Sequence, residues 1–500
     1  MLRVLLTLLA LIAAAPAWAQ KSADTLRITW REAVLNPDPY HNSLRNGLVL
    51  SHQVFDGLIS RDPETFALLP LLALSWKYID DTTLEFELRP GVVFQNGDPF
   101  TADDVVYTVN QAMTDKLVAV PSNYAWLAGV EKVDPLHVRI HLKRVFPAAL
   151  EYMALTLPIL PQAYRERMGP DGFSQAPVGT GPYRITGVAP DRITLDRFDG
   201  YFKDSPKGFP AIGHIAIRQV SDPKTELDDL MHGDADWIWS FAPEKSAEIA
   251  ANPALQEERA ESMRIGYLSL DAAGRSGADS PLTKLKVRQA VIAAIDRDTL
   301  SRALVAVGAR VLDTPCFPTQ FGCDQSAAYH PVYDPAHAKQ LLAEAGYPDG
   351  FDTELVSYVL PEYARAIAAN LAAVGIRARV EQLPLGEAIA RAAAGTTPLY
   401  MGSWGSYSIN DVSAILPYFF GGGDNDQARD PEIESLVEQG GATTSVGKRR
   451  QFYSRAIREI TDNALWLPLH TYVTTYGFSR TLDFKPTTDE IPRFYLSSWK

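Results

Sequence analysis

The sequence predicts a mixed α/β protein whose lobes are interwoven along the chain. Three observations carry this. Segments alternating apolar and polar residues, the strand period, recur at 24–30, 84–88, 137–142 and 192–198. Helical spacing recurs among and after them, at 101–113, 287–305 and 333–346. No internal repeat, low-complexity tract or Pro-rich linker divides the two kinds of segment into blocks. Five hundred residues suffice for two or three domains, and 46% hydrophobic with 21% charged residues is a globular composition.

Taken in order, "MLRVLLTLLALIAAAPAWAQ" sets one positive residue, Arg3, before an apolar run from Val4 to Ala15, then Ala17-Trp18-Ala19. The run is too short to span a bilayer and ends in an A-x-A cleavage pattern. Residues 1–19 are therefore expected to be a removed signal peptide, with the mature chain soluble. "DTLRITW" follows as a first strand, and Leu84, Phe86 and Leu88 share one face of a second. Thr101 and Asp104 have the spacing of a capping box ahead of Val105, Val109 and Met113. Val138, Ile140 and Leu142 alternate with His137, Arg139 and His141. "VGTGPYRI" is a turn entering a strand, and 287–305 reads as one long helix through Val291, Ile295 and Leu304. Asp334, Pro335 and Gly346 punctuate a further helix, and "YARAIAANLAAVGIRARVEQL" is helix then strand.

Net charge is −13, which argues against nucleic acid or an anionic membrane as partner. Cys316 and Cys323 are the only cysteines, seven apart. A zinc site needs more ligands, and the spacing is not the redox C-x-x-C, so a structural disulfide in an oxidising compartment is predicted. There is no G-x-S-x-G elbow, H-E-x-x-H or phosphate-loop pattern, and the nine His are scattered. The pairs Asp103-Asp104 and Asp228-Asp229 read as capping or surface acids. No catalytic residue, metal or cofactor is expected. What recurs is aromatic and polar residues in loops: "NPDPYHN", "NYAWL", "DADWIWS" and "WGSYSIND". Such side chains stack on and hydrogen-bond small polar ligands in concave sites.

Residues 54–110, with "DGL", "PLLALSW", "FELRPGVVFQNGDPFTADDV", resemble the solute-binding proteins, family 5, of peptide and nickel ABC importers. "APVGTGPYRI", "VRQAVIAAIDRDTL", "YDPAHAKQLLAEAGYP" and "WLPLHTY" resemble later family blocks in order. The resemblance implies a two-lobed periplasmic binding protein-like fold, type II with an extra domain, its discontinuous lobes joined by a hinge. It places lobe I at 20–46, 166–263 and 476–500, the extra domain at 47–165 and lobe II at 264–475, with hinge crossings at 264–272 and 469–479. The implied function is a periplasmic, monomeric binding protein that captures a peptide or peptide-like solute and delivers it to ABC permease subunits in the membrane. A nickel chelate, opine or sugar-phosphate ligand is the alternative within the family, and a secreted hydrolase the alternative outside it.

The resemblance also suggests site residues. In dipeptide binders the loop after a strand ending in Trp carries an Asp that pairs with the ligand amine; here Tyr407 falls at that place and Asp411 follows. Trp404 and Trp126 match the two cleft Trp residues of nickel-chelate binders, whose two carboxylate-gripping Arg are replaced here by Asn123 and by "TLPILP". The expected ligand-binding set is Tyr40, Trp126, Trp404, Tyr407, Ser408, Asn410 and Asp411.

Overall fold

A computed structural model describes residues 24–34 and 36–500; the expected signal peptide lies outside the described residues. One ten-stranded sheet runs through the molecule. Its order is Ile376–Gln382, Phe351–Ser357, Leu399–Trp404, Leu255–Leu270, Trp466–Ser479, Trp237–Trp239, Thr25–Trp30, His214–Gln219, Arg192–Arg197 and Tyr183–Ala189. Thr25–Trp30 pairs in parallel with strands from both sides, Ile28 facing Trp237 and Ile217. A separate four-stranded antiparallel sheet orders Ala73–Asp80, Thr83–Leu88, His137–Leu142 and Leu127–Asp134. The helix Ala102–Thr114 packs on it, started by the predicted capping box of Thr101 and Asp104.

Two strands cross between hydrophobic cores. Leu255–Leu270 and Trp466–Ser479 pair antiparallel along most of their length, with register shifts between Ser262 and Ile265 and between Gly266 and Tyr267. One core contains Leu26, Ile28, Leu84, Phe86, Tyr476 and Phe478 and takes in the C-terminal Phe484 and Phe494. Others gather Met263, Ile265 and Trp466, or Leu268, Leu467 and Leu469. Along the first strand the core therefore changes between Ala260 and Met263, and along the second between Leu469 and Tyr476. A strand irregularity at a place where the core is interrupted is where a backbone bends at small cost.

The segment 287–305 is two helices, Leu285–Ala293 and Arg297–Leu304, instead of one. Asp296 divides them: its carboxylate accepts from Thr299 N at 3.0 Å and so starts the second helix. A short acid at such a point satisfies orphan amides better than it continues a helix. Asp229 is likewise no surface acid. It is buried, with its carboxylate oxygens 2.9 and 2.8 Å from Arg218 Nη1, and accepts from Thr29 Oγ1 at 2.9 Å. Cys316 and Cys323 are joined by a disulfide. Among the described residues no helix is long and apolar enough to cross a membrane.

Candidate functional site: a cleft between the two halves of the sheet

Three adjoining cavities lie where the cores separate. The largest, about 460 Å³, is bounded by Tyr40, Arg45, Asn123, Tyr124, Arg264 and Tyr407. A second, about 350 Å³, is bounded by Arg31, Glu32, Arg45, Trp239, Arg264 and Glu490. A third, about 190 Å³, is bounded by Tyr267, Tyr358, Trp404, Tyr418, Gln427 and again Arg264. Arg264 alone reaches all three, and Glu32 borders the first two. The volumes together are in the range of small-molecule sites, and the lining combines apolar rings with a few charges, as such sites do.

Arg264 stands at the register shift of the crossing strand Leu255–Leu270. It makes no ion pair among the described residues; its one side-chain hydrogen bond there is a long one, Nη1 to Ser403 Oγ at 3.4 Å. The carboxylate of Glu32 also has no partner among the described residues and is exposed. The neighbouring charges are already engaged. Arg31 pairs with Glu226 at 3.0 Å, and Arg45 lies 3.6 Å from Glu490. Glu226 is buried beside that pair, and burial pushes its carboxyl up to about 7, against the pull of Arg31.

Tyr40, Tyr124 and Trp404 present faces, because their polar tips are taken. Tyr40 Oη donates to the Pro158 carbonyl at 2.7 Å and Tyr124 Oη to that of Thr156 at 2.6 Å. Trp404 Nε1 donates to the Ala414 carbonyl at 2.9 Å while the indole stacks on Tyr418, centroids 4.5 Å apart and planes at 19°. Tyr407 meets the same indole edge-on at 5.5 Å and is the most exposed ring of the group at 45%. Burial raises the Tyr407 and Tyr418 hydroxyls above their ordinary range, so both rings are neutral donors.

Of the expected set, Tyr40, Trp404 and Tyr407 border the cavities, Tyr40 and Tyr407 the same one. Trp126, Ser408, Asn410 and Asp411 do not. Trp126 is packed against Phe146 at 5.7 Å, with Nε1 donating to the Asn123 carbonyl. Asp411 is buried and gripped by Arg449 Nη2 at 2.9 and 2.8 Å, while its Oδ1 caps Ser413 N. Ser408 is buried, its Oγ accepting from Arg45 Nη1 at 2.7 Å and donating to the Asp489 carbonyl at 2.6 Å. Sequence reasoning missed Arg264, Glu32, Arg45, Tyr358 and Tyr418. The one sequence signal for Arg264 is its interruption of the otherwise apolar run in "MRIGYLSL".

A profile of the bacterial extracellular solute-binding proteins, family 5, middle region, matches residues 67–427. The chain belongs to this family. It is 33% identical over 361 residues to the glutathione-binding protein GsiB of Salmonella paratyphi A, covering 70% of this chain and 68% of that one. To the glutathione-binding protein GsiB of Pectobacterium atrosepticum it is 29% identical over 486 residues, covering 92% and 91%. Among solved structures, HbpA2 from Haemophilus parasuis superposes with a TM-score of 0.84 at 23% identity, over 95% of this chain and all of that one. A dipeptide-binding protein from Pseudoalteromonas sp. SM9913, in complex with Met-Leu, superposes at 0.77 with 21% identity, over 95% and 100%. The fold is thus the type II binding-protein fold that the sequence resemblance implied, and the family's members are solute-binding proteins serving ABC importers.

Proposed function

We propose that this family 5 protein works in the periplasm as a monomer, captures a short peptide carrying more than one charged end, and hands it to an ABC permease. The lobes are those the resemblance implied, and the solute sits between them in the Arg264 cleft. The observation that carries the reading is the pair of uncommitted charges on one cleft: the Arg264 guanidinium and the Glu32 carboxylate, which border the same two cavities. A peptide is a zwitterion, and this arrangement offers a cation for a carboxylate and an anion for an amine. A guanidinium binds a carboxylate through paired charge-assisted hydrogen bonds. Rings of Tyr40, Trp404, Tyr407 and Tyr418 flank side chains without asking for a particular one. The glutathione-binding relatives fit this class, since glutathione is a short peptide with two carboxylates and one amine. Capture by lobe closure needs the solute to contact both lobes, because only differential affinity for the closed form shifts the population.

Calorimetric titration of glutathione, dipeptides, a nickel–histidine chelate, an opine and a sugar phosphate tests the reading. Peptides with free carboxylates are expected to bind, and Arg264→Ala to weaken them by about 10- to 100-fold, the worth of one charge-assisted hydrogen-bonded contact. The melting temperature should stay unchanged, since Arg264 carries no ion pair among the described residues. Binding of the chelate or sugar phosphate with none of any peptide would overturn the proposal.

A further inference from the structure

The loop that carries Tyr407 into the largest cavity has a second face. Ser406, Tyr407 and Ser408 have φ of 49°, 50° and 63°, three consecutive side-chain-bearing residues in the left-handed region. Such a run persists only when its surroundings hold it. What holds it comes from distant parts of the sequence. Arg61 donates through Nη1 to the Ser408 carbonyl at 2.7 Å and to Glu151 Oε2 at 3.0 Å, and through Nη2 to Asp489 Oδ2 at 2.8 Å. Arg45 Nη1 donates to Ser408 Oγ at 2.7 Å, and Ser408 Oγ donates to the Asp489 carbonyl at 2.6 Å. Asn410 N donates to Glu151 Oε2 at 3.4 Å. Arg493 completes the network on Asp489 at 2.7 Å. Burial would push the Asp489 carboxyl up, but the Arg493 and Arg61 guanidiniums hold it well below its ordinary range.

Between these charges lies a small apolar patch. Ile409 is fully buried against Leu48, Tyr152, Leu155, Ala414 and Ile491. Ser408, Ile409 and Asn410 follow the strand Leu399–Trp404 and belong to one half of the molecule. Arg45, Leu48, Arg61, Glu151, Leu155 and the 489–493 segment belong to the other, each within a few residues of members of its core such as Val49, Ile59, Ala149, Ala154 and Phe494. The contacts therefore join the halves directly, with no solute in between.

We propose that residues 406–410 are a latch: a built-in lobe-to-lobe contact that favours the closed form whatever solute is bound, with Arg61, Glu151 and Ile409 as its positioning residues. This deepens the preceding reading and rests on the cleft being the place of capture. The latch sets how much of the solute's binding free energy goes into shutting the cleft, because apparent affinity scales with the fraction of molecules able to close. It also gives the segment containing Arg61 and Glu151, outside the ten-stranded sheet, a part in capture: it holds the ligand loop from behind.

Pulsed electron-spin distance measurement on the ligand-free protein tests this without knowing the solute. Spin labels go on Asp191→Cys and Glu438→Cys, both exposed and on opposite halves; the described residues contain no free cysteine to compete. Ile409→Ala and Glu151→Gln, each in that background, are expected to lower the short-distance population several-fold, Ile409→Ala with a fall in melting temperature as well because it empties a fully buried site. Once the titration panel has given a solute, its Kd should rise by the same factor. Distance distributions identical in wild type and both variants would overturn the latch. So would a fall in melting temperature without a change in distance, which marks Ile409 as an ordinary core residue. Failure of every peptide to bind would sink the ligand class but leave the distance result readable.

Discussion

Trp126 and Trp404 hold matching places in the family pattern, yet their surroundings differ. Trp126 is 6% exposed and covers Phe146; Trp404 is half-buried and borders a cavity. Trp126→Ala should therefore cost about 3–5 kcal/mol of stability, the usual penalty for emptying a large core site, with peptide affinity nearly unchanged. Trp404→Ala should instead weaken binding by about 1–3 kcal/mol with a smaller loss of stability. Thermal melts beside calorimetric titration separate the two; equal effects on both readouts for both variants would refute the division. At this scale the sequence was legible where a residue type implies a use. Of the residues expected as ligand contacts, each of Tyr40, Trp404 and Tyr407 was at a candidate cavity, as rings in polar loops suggest. Asp411 was not, because the guanidinium that claims it, Arg449, lies 38 positions away on a helix that its own pattern does not single out. Arg264 escaped because its one signal, a charge interrupting the apolar run of a strand, does not say that the strand stands beside a cleft.

Single elements were read more fully than their joins. The Thr101–Asp104 capping box, the Asp334–Pro335 start and the strand at 137–142 all lie where local chemistry put them. The segment 287–305 failed because apolar spacing continues across Asp296 while the backbone does not. Asp296→Ala should cost about 1 kcal/mol by removing the cap of Arg297–Leu304, seen as a lowered denaturation midpoint with unchanged slope. The disulfide was legible from number and compartment alone. It closes a short loop, so replacing both Cys316 and Cys323 by Ser should cost about 2–3 kcal/mol by the chain-entropy estimate, measured against the wild type in denaturant.

For the molecule as a whole, pH dependence follows from a buried acid at the edge of the cleft. The Glu226 carboxyl is raised from 4.5 to about 7, so the folded form keeps a proton that the unfolded chain has lost. Its contribution is full below about 4.5 and is lost as pH rises through 7, about 3 kcal/mol in all. His470 works the other way: burial lowers it to about 4, which removes stability only as pH falls below 6.5. Glu226→Gln should thus remove a decline of melting temperature between about pH 4.5 and 7; an identical profile over that range in wild type and variant would rule this out. The ten-stranded order was not legible in the sequence, since no local pattern says that Thr25–Trp30 pairs with His214–Gln219. That pairing also bears on timing. The first strand cannot find its neighbours until residues near 214 and 237 exist, and the same core waits for Phe484, Phe494 and Tyr495. Because closing such distant contacts is slow, a chain emerging from the ribosome stays loose in this half until synthesis is nearly over. Export as proposed above would gain from that delay, since a loose chain threads a translocation pore more readily than a compact one.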